Sequence, residues 1–232
     1  MTCGVLYIVW GDAGDGLLDR SLASLRAAMS GLPIHIERLP EGATLLEKAR
    51  MMGMSPFETT LYLDADTVVL GPLDFGFEMA TKHGIACCVC ECPWAARYGE
   101  FSHGDTEAQR NLVEYNTGVI FWEKAKAWEV FQHWEEAAFR IDSSITWGKG
   151  EARRRMPCND QAGFVKAVAD LEFNPFVLPL NWNFRPQWHR SWFGPIKIWH
   201  DRMGAPEEIA SRTAQAEAMD FWELRVEAAG GQ

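Results

Sequence analysis

The chain has 232 residues, 47% of them hydrophobic, with 11 Trp and 13 Phe, which is enough for one sizeable core and too apolar for a disordered chain. Its 22 Lys and Arg against 32 Asp and Glu give a formal net charge of −10, which removes the basic footprint of sequence-independent nucleic-acid binding. An acidic protein that handles a polyanion needs local help, either clustered basic side chains or a bound cation.

The N-terminal MTCGVLYIVWGDAG has no basic start and only a short apolar run, so VLYIVW (5–10) is expected to be a first strand and not a signal peptide. Leu18, Leu22, Leu25 and Met29 then recur at helical spacing, with Gly31 and Pro33 as the stop. IHIERL (34–39) alternates like a strand, and LLEKARMMGM (45–54) reads as a helix closed by Pro56. TLYL (60–63) is a further strand, followed by DTVVLGPLD and a Gly/Phe-rich stretch. IACCVCEC (85–92) alternates again, and NTGVIFW (116–122) is another strand. KAKAWEVFQHWEEAAF (124–139) and QAGFVKAVADL (161–171) are helices, and IKIWH (196–200) is a last strand. Alternating strands and helices predict an α/β layer architecture around a mostly parallel sheet.

No repeat or linker divides the chain, so one domain over 1–204 is expected, with a helical tail at 205–232 packing back on it through Met219, Phe221, Trp222 and Val226. No run approaches the ~20 apolar residues of a membrane span. Four of the six Cys crowd into CCVCEC (87–92), unlike a disulfide framework spread along a secreted chain, so a reduced, cytoplasmic protein is the expectation.

The stretch TLYLDADTVVLGPLD (60–74) carries the chemistry. A strand runs straight into Asp64-Ala65-Asp66, and in open α/β sheets ligands bind beyond the carboxyl ends of strands. Two carboxylates so placed repel each other unless a cation neutralises them, and oxygen ligands of this kind suit Mg²⁺ or Mn²⁺.

LYLDADTVVLGPLD resembles the metal-binding segment of GT-A glycosyltransferases, closest to glycosyltransferase family 8, which includes the glycogenin-like and bacterial lipopolysaccharide enzymes. EKARMMGMSPFETT (47–60), EYNTGVIFWEK (114–124), CNDQAGF (158–164), NWNFRPQW (181–188) and IKIWHDR (196–202) resemble further landmarks of that family in the same order. The resemblance implies a single Rossmann-like GT-A domain. It implies transfer of a sugar, with retention, from a nucleotide diphosphate donor, above all a UDP-sugar, to a hydroxyl on a glycan, lipid or protein. It also implies a Mn²⁺ or Mg²⁺ ion held by Asp64, Asp66 and His200, with Asp64 shared between metal and ribose. Asn116 and Gly118 resemble donor-sugar contacts, and Asp160 and Gln161 resemble the pair beside the anomeric carbon. Lys48 or Arg50 resembles the basic residue offered to the donor. Asp12, just after the first strand, is a candidate for the base or ribose. The family's Lys-Pro-Trp after the metal His is missing from HDRMGAP, which leaves Arg202 or Lys197 as candidates for the diphosphate.

Other features keep plainer alternatives. Asn159 or Asp160 is also a good N-cap for the helix that follows. Cys88, Cys90 and Cys92 share one strand face, where they are small sheet residues or, on a third reading, zinc ligands. Lys149 and Arg153–Arg155 form a basic run that is a solvated loop or a contact to an anionic group. Trp182, Trp188, Trp192 and Trp199 divide between core and a platform for an acceptor sugar. A sugar-1-phosphate nucleotidyltransferase is the alternative enzyme, although WGDAGDG (10–16) only faintly imitates its Gly-rich loop, and a non-catalytic nucleotide-sugar-binding module is the alternative outside enzymes.

Overall fold

Strand β1 (Cys3–Trp10) is buried from Gly4 to Val9, which requires cover on both faces of its sheet. Val5, Tyr7 and Val9 face one hydrophobic layer, and Leu6 and Ile8 face the other. The computed structural model describes residues 2–12, 14–90, 113–147, 151, 153–189 and 194–217. The order of elements after β1 is α1 (Asp15–Ala28), β2 (Ile34–Leu39), a 3-10 turn (Leu45–Arg50), α2 (Met51–Met54), β3 (Thr59–Leu63), β4 (Thr67–Val69), α3 (Asp74–His83) and β5 (Ile85–Val89). It continues with β6 (Tyr115–Glu123), α4 (Lys124–Arg140), β7 (Ile145–Trp147), β8 (Arg154–Met156), α5 (Asp160–Asp170), β9 (Phe176–Val177), β10 (Ile198–His200) and α6 (Glu207–Glu217).

The central sheet has the strand order β2-β1-β3-β6-β5-β9. The pairs β1–β2, β1–β3 and β5–β9 are parallel, and β6 runs antiparallel to both β3 and β5, so the sheet is parallel apart from β6. Helices α1 and α3 cover one face, where Leu18, Leu22, Leu25, Phe77 and Ala80 meet Leu61, Val119 and Phe121. The other face carries α4 and α5, whose Phe131, Trp134, Phe164 and Val168 meet Tyr62, Ile120 and Trp122. α4 starts where the Glu123 carboxylate accepts from the N–H groups of Ala125 and Lys126. α4 and α5 pack closely at Gly163, where an added Cβ would lie 2.9 Å from the backbone nitrogen of Ala138.

Chain order reverses beside β1, with β2 on one side and β3 on the other, and this switch point opens a crevice at the carboxyl ends of β1 and β3. A second, two-stranded sheet pairs β10 antiparallel with β4, which places His200 opposite Thr67. Phe184 extends this arrangement. Its N–H donates to the Ile198 carbonyl, and its own carbonyl accepts from His200 N–H, each at 2.8 Å. Phe184, Ile196 and Trp199 form a small core against which Ala205 and Ile209 pack, so α6 starts on the body of the domain. The tail residues Met219, Phe221, Trp222 and Val226 lie outside the described residues, and no described helix is long and apolar enough to cross a membrane.

Several elements differ from the sequence expectation. LLEKARMMGM is a 3-10 turn followed by one α-helical turn, and Ser55 then adopts φ −80, ψ 129, the extended backbone that Pro56 demands of the residue before it. The strand expected over 85–92 ends at Val89, after a register shift against β6 between Cys87 and Val89. Helix α3, the β7–β8 hairpin and β9 carried no clear periodic signal, being short or rich in Gly and Phe. Arg154 and Arg155 of the basic run are exposed on β8, and Lys149 lies outside the described residues.

Candidate active site

Strand β3 delivers Asp64 and Asp66 to the mouth of the crevice, and the β4–β10 ribbon delivers His200 to the same point. One ligand atom from each of the three lies within 4.8 Å of the others, the only such group of His, Cys, Asp and Glu among the described residues. His200 Nε2 is 3.1 Å from Asp66 Oδ1 and 3.7 Å from Asp64 Oδ2. The backbone fixes these positions. Asp64 N–H donates to the Gly118 carbonyl at 2.8 Å, and Asp201 N–H donates to the Asp66 carbonyl at 3.0 Å. Thr67 closes the Asp-Ala-Asp turn by donating its hydroxyl to the Asp64 carbonyl, and a buried hydroxyl chain from Tyr7 through Ser21 to Thr67 supports it from α1.

Gly118 is a glycine because the site has no room for more. A Cβ there would lie 2.4 Å from His200 Cε1 and 2.5 Å from Asp64 Oδ2.

Lys48 is 2% exposed and joins two carboxylates. Its Nζ is 3.1 Å from Asp64 Oδ1 and 3.2 Å from Asp160 Oδ2, and it lies 4.9 Å from the centre of the Tyr62 ring. Burial opposes its charge, but Asp160 and Asp64 more than offset this, so its pKa stands above the usual lysine value. Tyr62 O–H donates to the same Asp64 Oδ1 at 2.6 Å, and burial, reinforced by the Asp64 carboxylate, pushes the phenol well above its ordinary range. Asp64 therefore spends Oδ1 on Lys48 and Tyr62 and turns Oδ2 toward His200. For Asp66 burial acts upward, but the hydrogen bond and charge that His200 supplies when its ring is protonated, with help from Arg202, hold the carboxyl down to about 2.

Asp160 opens α5 and is 4% exposed. Thr117 O–H donates to its Oδ2, and its backbone carbonyl accepts from the Trp134 indole at 2.9 Å. The helix cap is Asn159, whose side chain accepts from Gln161 N–H. Gln161 Oε1 accepts from Asn116 Nδ2 at 2.8 Å, and Gln161 Nε2 points at Cys90 Sγ at 3.7 Å.

Two cavities meet this machinery. One, of about 240 Å³, lies at the carboxyl end of β1 and is lined by Ile8, Trp10, Leu17, Asp64, Asp66 and Arg202. The other, of about 210 Å³, is lined by Cys90, Met156, Asp160, Gln161, Arg185 and Trp188. Lys48 bridges one wall residue of each.

The structure thus brings together Lys48, Asp64, Asp66, Asn116, Gly118, Asp160, Gln161 and His200, with Arg202 on the first cavity. Two candidates lie apart from this cluster. Arg50 pairs with Glu135 and Glu47 and stacks over Phe139, and the Asp12 side chain is 92% exposed beside Arg38. Trp182 and Trp199 are core residues, Trp188 lines the second cavity, and Trp192 lies outside the described residues. Cys87 and Cys88 are buried on opposite faces of β5, Cys90 follows the strand at the second cavity, and Cys92 lies outside the described residues. Sequence reasoning missed Tyr62, Thr117, Trp134 and Asn183, uncharged side chains that reach the site through hydrogen bonds.

The donor set fits a divalent cation. Two carboxylates and an imidazole converge, and an imidazole ligand favours Mn²⁺ over Mg²⁺.

The architecture is the GT-A fold, and the solved structures it resembles include glycosyltransferases. Mouse xyloside xylosyltransferase 1 superimposes with a TM-score of 0.59 at 12% identity, covering 86% of this chain and 97% of that one. An active-site mutant of LgtC gives 0.55 at 12% identity over 96% and 99% of the two chains, and the glycosyltransferase GlyE in Streptococcus pneumoniae gives 0.54 at 14% over 98% and 63%. No protein-family profile matches the chain, and no curated protein does.

Proposed function

We propose that the chain is a metal-dependent glycosyltransferase that moves a sugar from a nucleotide diphosphate donor, a UDP-sugar, to a hydroxyl acceptor with retention at the anomeric carbon. The observation that carries this reading is the Asp64–Asp66–His200 cluster at the switch-point crevice, joined through Lys48 to Asp160 at the second cavity. The fold supports it, since similar structures include the galactosyltransferase LgtC in complex with donor and acceptor sugar analogs.

Asp64, Asp66 and His200 would hold Mn²⁺ or Mg²⁺, which when bound offsets charge on the departing diphosphate. The first cavity takes the nucleotide, with Arg202 near the phosphates. Trp10 lines this cavity and offers its ring to the base or ribose. Asn116 and the backbone of Gly118 face the donor sugar, and the second cavity takes the acceptor, with the half-exposed Trp188 as a stacking surface.

In the reaction the bond from the anomeric carbon to the diphosphate oxygen breaks, and its electron pair leaves with the nucleoside diphosphate. The acceptor oxygen attacks from the same face and gives its proton to that departing oxygen. The oxocarbenium-like carbon needs a nearby electron-rich group. Gln161 fills that role through its amide oxygen, whose position Asn116 fixes. Asp160, already bound by Lys48 and Thr117, steadies the N-terminus of α5 from which Gln161 projects.

The test is a panel of nucleotide sugars incubated with protein and Mn²⁺, with release of nucleoside diphosphate as the readout. The proposal predicts release from a UDP-sugar that chelation abolishes, and that Gln161→Ala slows without weakening UDP binding. UDP binding without turnover on any donor and acceptor would favour a binding module instead.

A further inference from the structure

We propose that Asn183 is a positioning residue that sets the tautomer of His200, and that its own orientation is fixed by Asn116 and the backbone of Gly118. The inference deepens the metal-site reading above and rests on it for its purpose, although the tautomer itself is a property of the metal-free protein.

The argument starts at a group that can only donate. Gly118 N–H lies 3.0 Å from a terminal atom of the Asn116 amide, so that atom is the oxygen and the other is nitrogen. The nitrogen donates to Gln161 Oε1 at 2.8 Å. The same Asn116 oxygen lies 2.7 Å from the Asn183 amide, which must therefore present its nitrogen there. The remaining face of Asn183 is then its oxygen, and it lies 2.8 Å from His200 Nδ1. An oxygen in that place accepts, so Nδ1 carries the hydrogen. In a neutral imidazole the lone pair then falls on Nε2, the atom turned toward Asp66 and Asp64.

The consequence is a lone pair aimed at two carboxylates, an arrangement suited to a cation and to little else. A metal-ligating histidine ordinarily has its other nitrogen oriented by such a partner. Here the partner is a buried neutral amide, 2% exposed, and each amide in the chain leaves the next with one orientation. Backbone bonds from Phe184 to Ile198 and His200 hold the Asn183 backbone beside the ring. The same Asn116 amide sets Gln161, which places the metal ligand and the residue beside the reacting sugar on one hydrogen-bonded frame.

The experiment uses the full chain, metal-free and labelled with ¹⁵N-histidine, at mildly alkaline pH. Long-range proton–nitrogen correlation reads the tautomer, with the His200 signal assigned by its loss in His200→Gln. Mn²⁺ affinity is read separately from the paramagnetic signal of the free ion. Wild type is expected to show the hydrogen on Nδ1. Asn183→Leu should lose that preference and bind Mn²⁺ ~10–100-fold more weakly. Asn183→Asp keeps an acceptor for Nδ1–H and should retain the tautomer, although it gives up the donor to the Asn116 oxygen. A merely structural asparagine would make the tautomer preference fail alike in both variants, so its parallel loss overturns the proposal, as does hydrogen on Nε2 in the wild type. If wild type binds no Mn²⁺, the functional reading fails by itself, and the tautomer pattern across the variants still decides the role of Asn183.

Discussion

Replacing Lys48 by Met leaves two carboxylates facing each other without their shared cation. In the folded protein Lys48 is 2% exposed and Asp160 is 4% exposed, so neither charge can turn to solvent. Breaking a buried pair by removing one partner costs about 3–5 kcal/mol, a large fraction of the ~5–15 kcal/mol that holds a domain folded. Most of that penalty falls on Asp160, because each carboxylate keeps one hydroxyl, from Thr117 or Tyr62, but the Asp160 side chain is 5% exposed and that of Asp64 28%. Denaturant unfolding of Lys48→Met, Asp160→Asn and the double variant forms a cycle that isolates the coupling. The double variant should recover at least ~2 kcal/mol relative to additivity. The pH dependence has a definite sign. Because the folded pKa of Lys48 stands above its ordinary 10.5, its contribution is complete below that value and is lost as pH rises through the folded value. A Lys48→Met loss under about 1 kcal/mol, as for a surface pair, would refute the buried bridge.

Other outcomes follow from the same geometry. Asp66 is held down to about 2 from its ordinary 3.8, so it stabilises the fold above pH 3.8 and loses this contribution as pH falls through about 2. Wild type should lose on the order of 2 kcal/mol of stability relative to Asp66→Asn across that window in metal-free denaturation experiments. Gly118→Ala forces a methyl against His200 and Asp64 and should weaken Mn²⁺ binding by at least about tenfold, read by titration, because a displaced ligand shell costs that much. Gly163→Ala drives a Cβ onto the α4 backbone and should destabilise by about 1–3 kcal/mol in urea unfolding, with Mn²⁺ affinity preserved.

The parts of the fold that are legible in the sequence are those with strong period. The strands at 5–10, 60–63 and 116–122 carry the apolar runs 5–10, 61–63 and 119–122 because both sheet faces are covered, and α4 and α5 repeat their apolar positions at helical spacing. Helix α3 escapes such reasoning because two of its positions are Gly76 and Phe77 packed on Phe121, not a run of strong helix formers. In the site, Asp64, Asp66 and His200 are legible as chemistry-bearing residues, but that β10 pairs with β4 and sets His200 opposite Thr67 is long-range information. Lys48 and Arg50 are equivalent candidates in the sequence. Only the 3-10 turn decides between them, sending Lys48 inward to two carboxylates and Arg50 outward to Glu135. Asn183 is invisible for a different reason, since a neutral amide announces nothing until its two neighbours are known.

The central claim is that a divalent ion on Asp64, Asp66 and His200 anchors the diphosphate of a nucleotide sugar. Calorimetric titration of UDP into the protein with and without Mn²⁺ tests it most directly. The account predicts binding with Mn²⁺, none in the presence of a chelator, and none to Asp66→Asn with the ion present. Equal UDP affinity in all three conditions would contradict it.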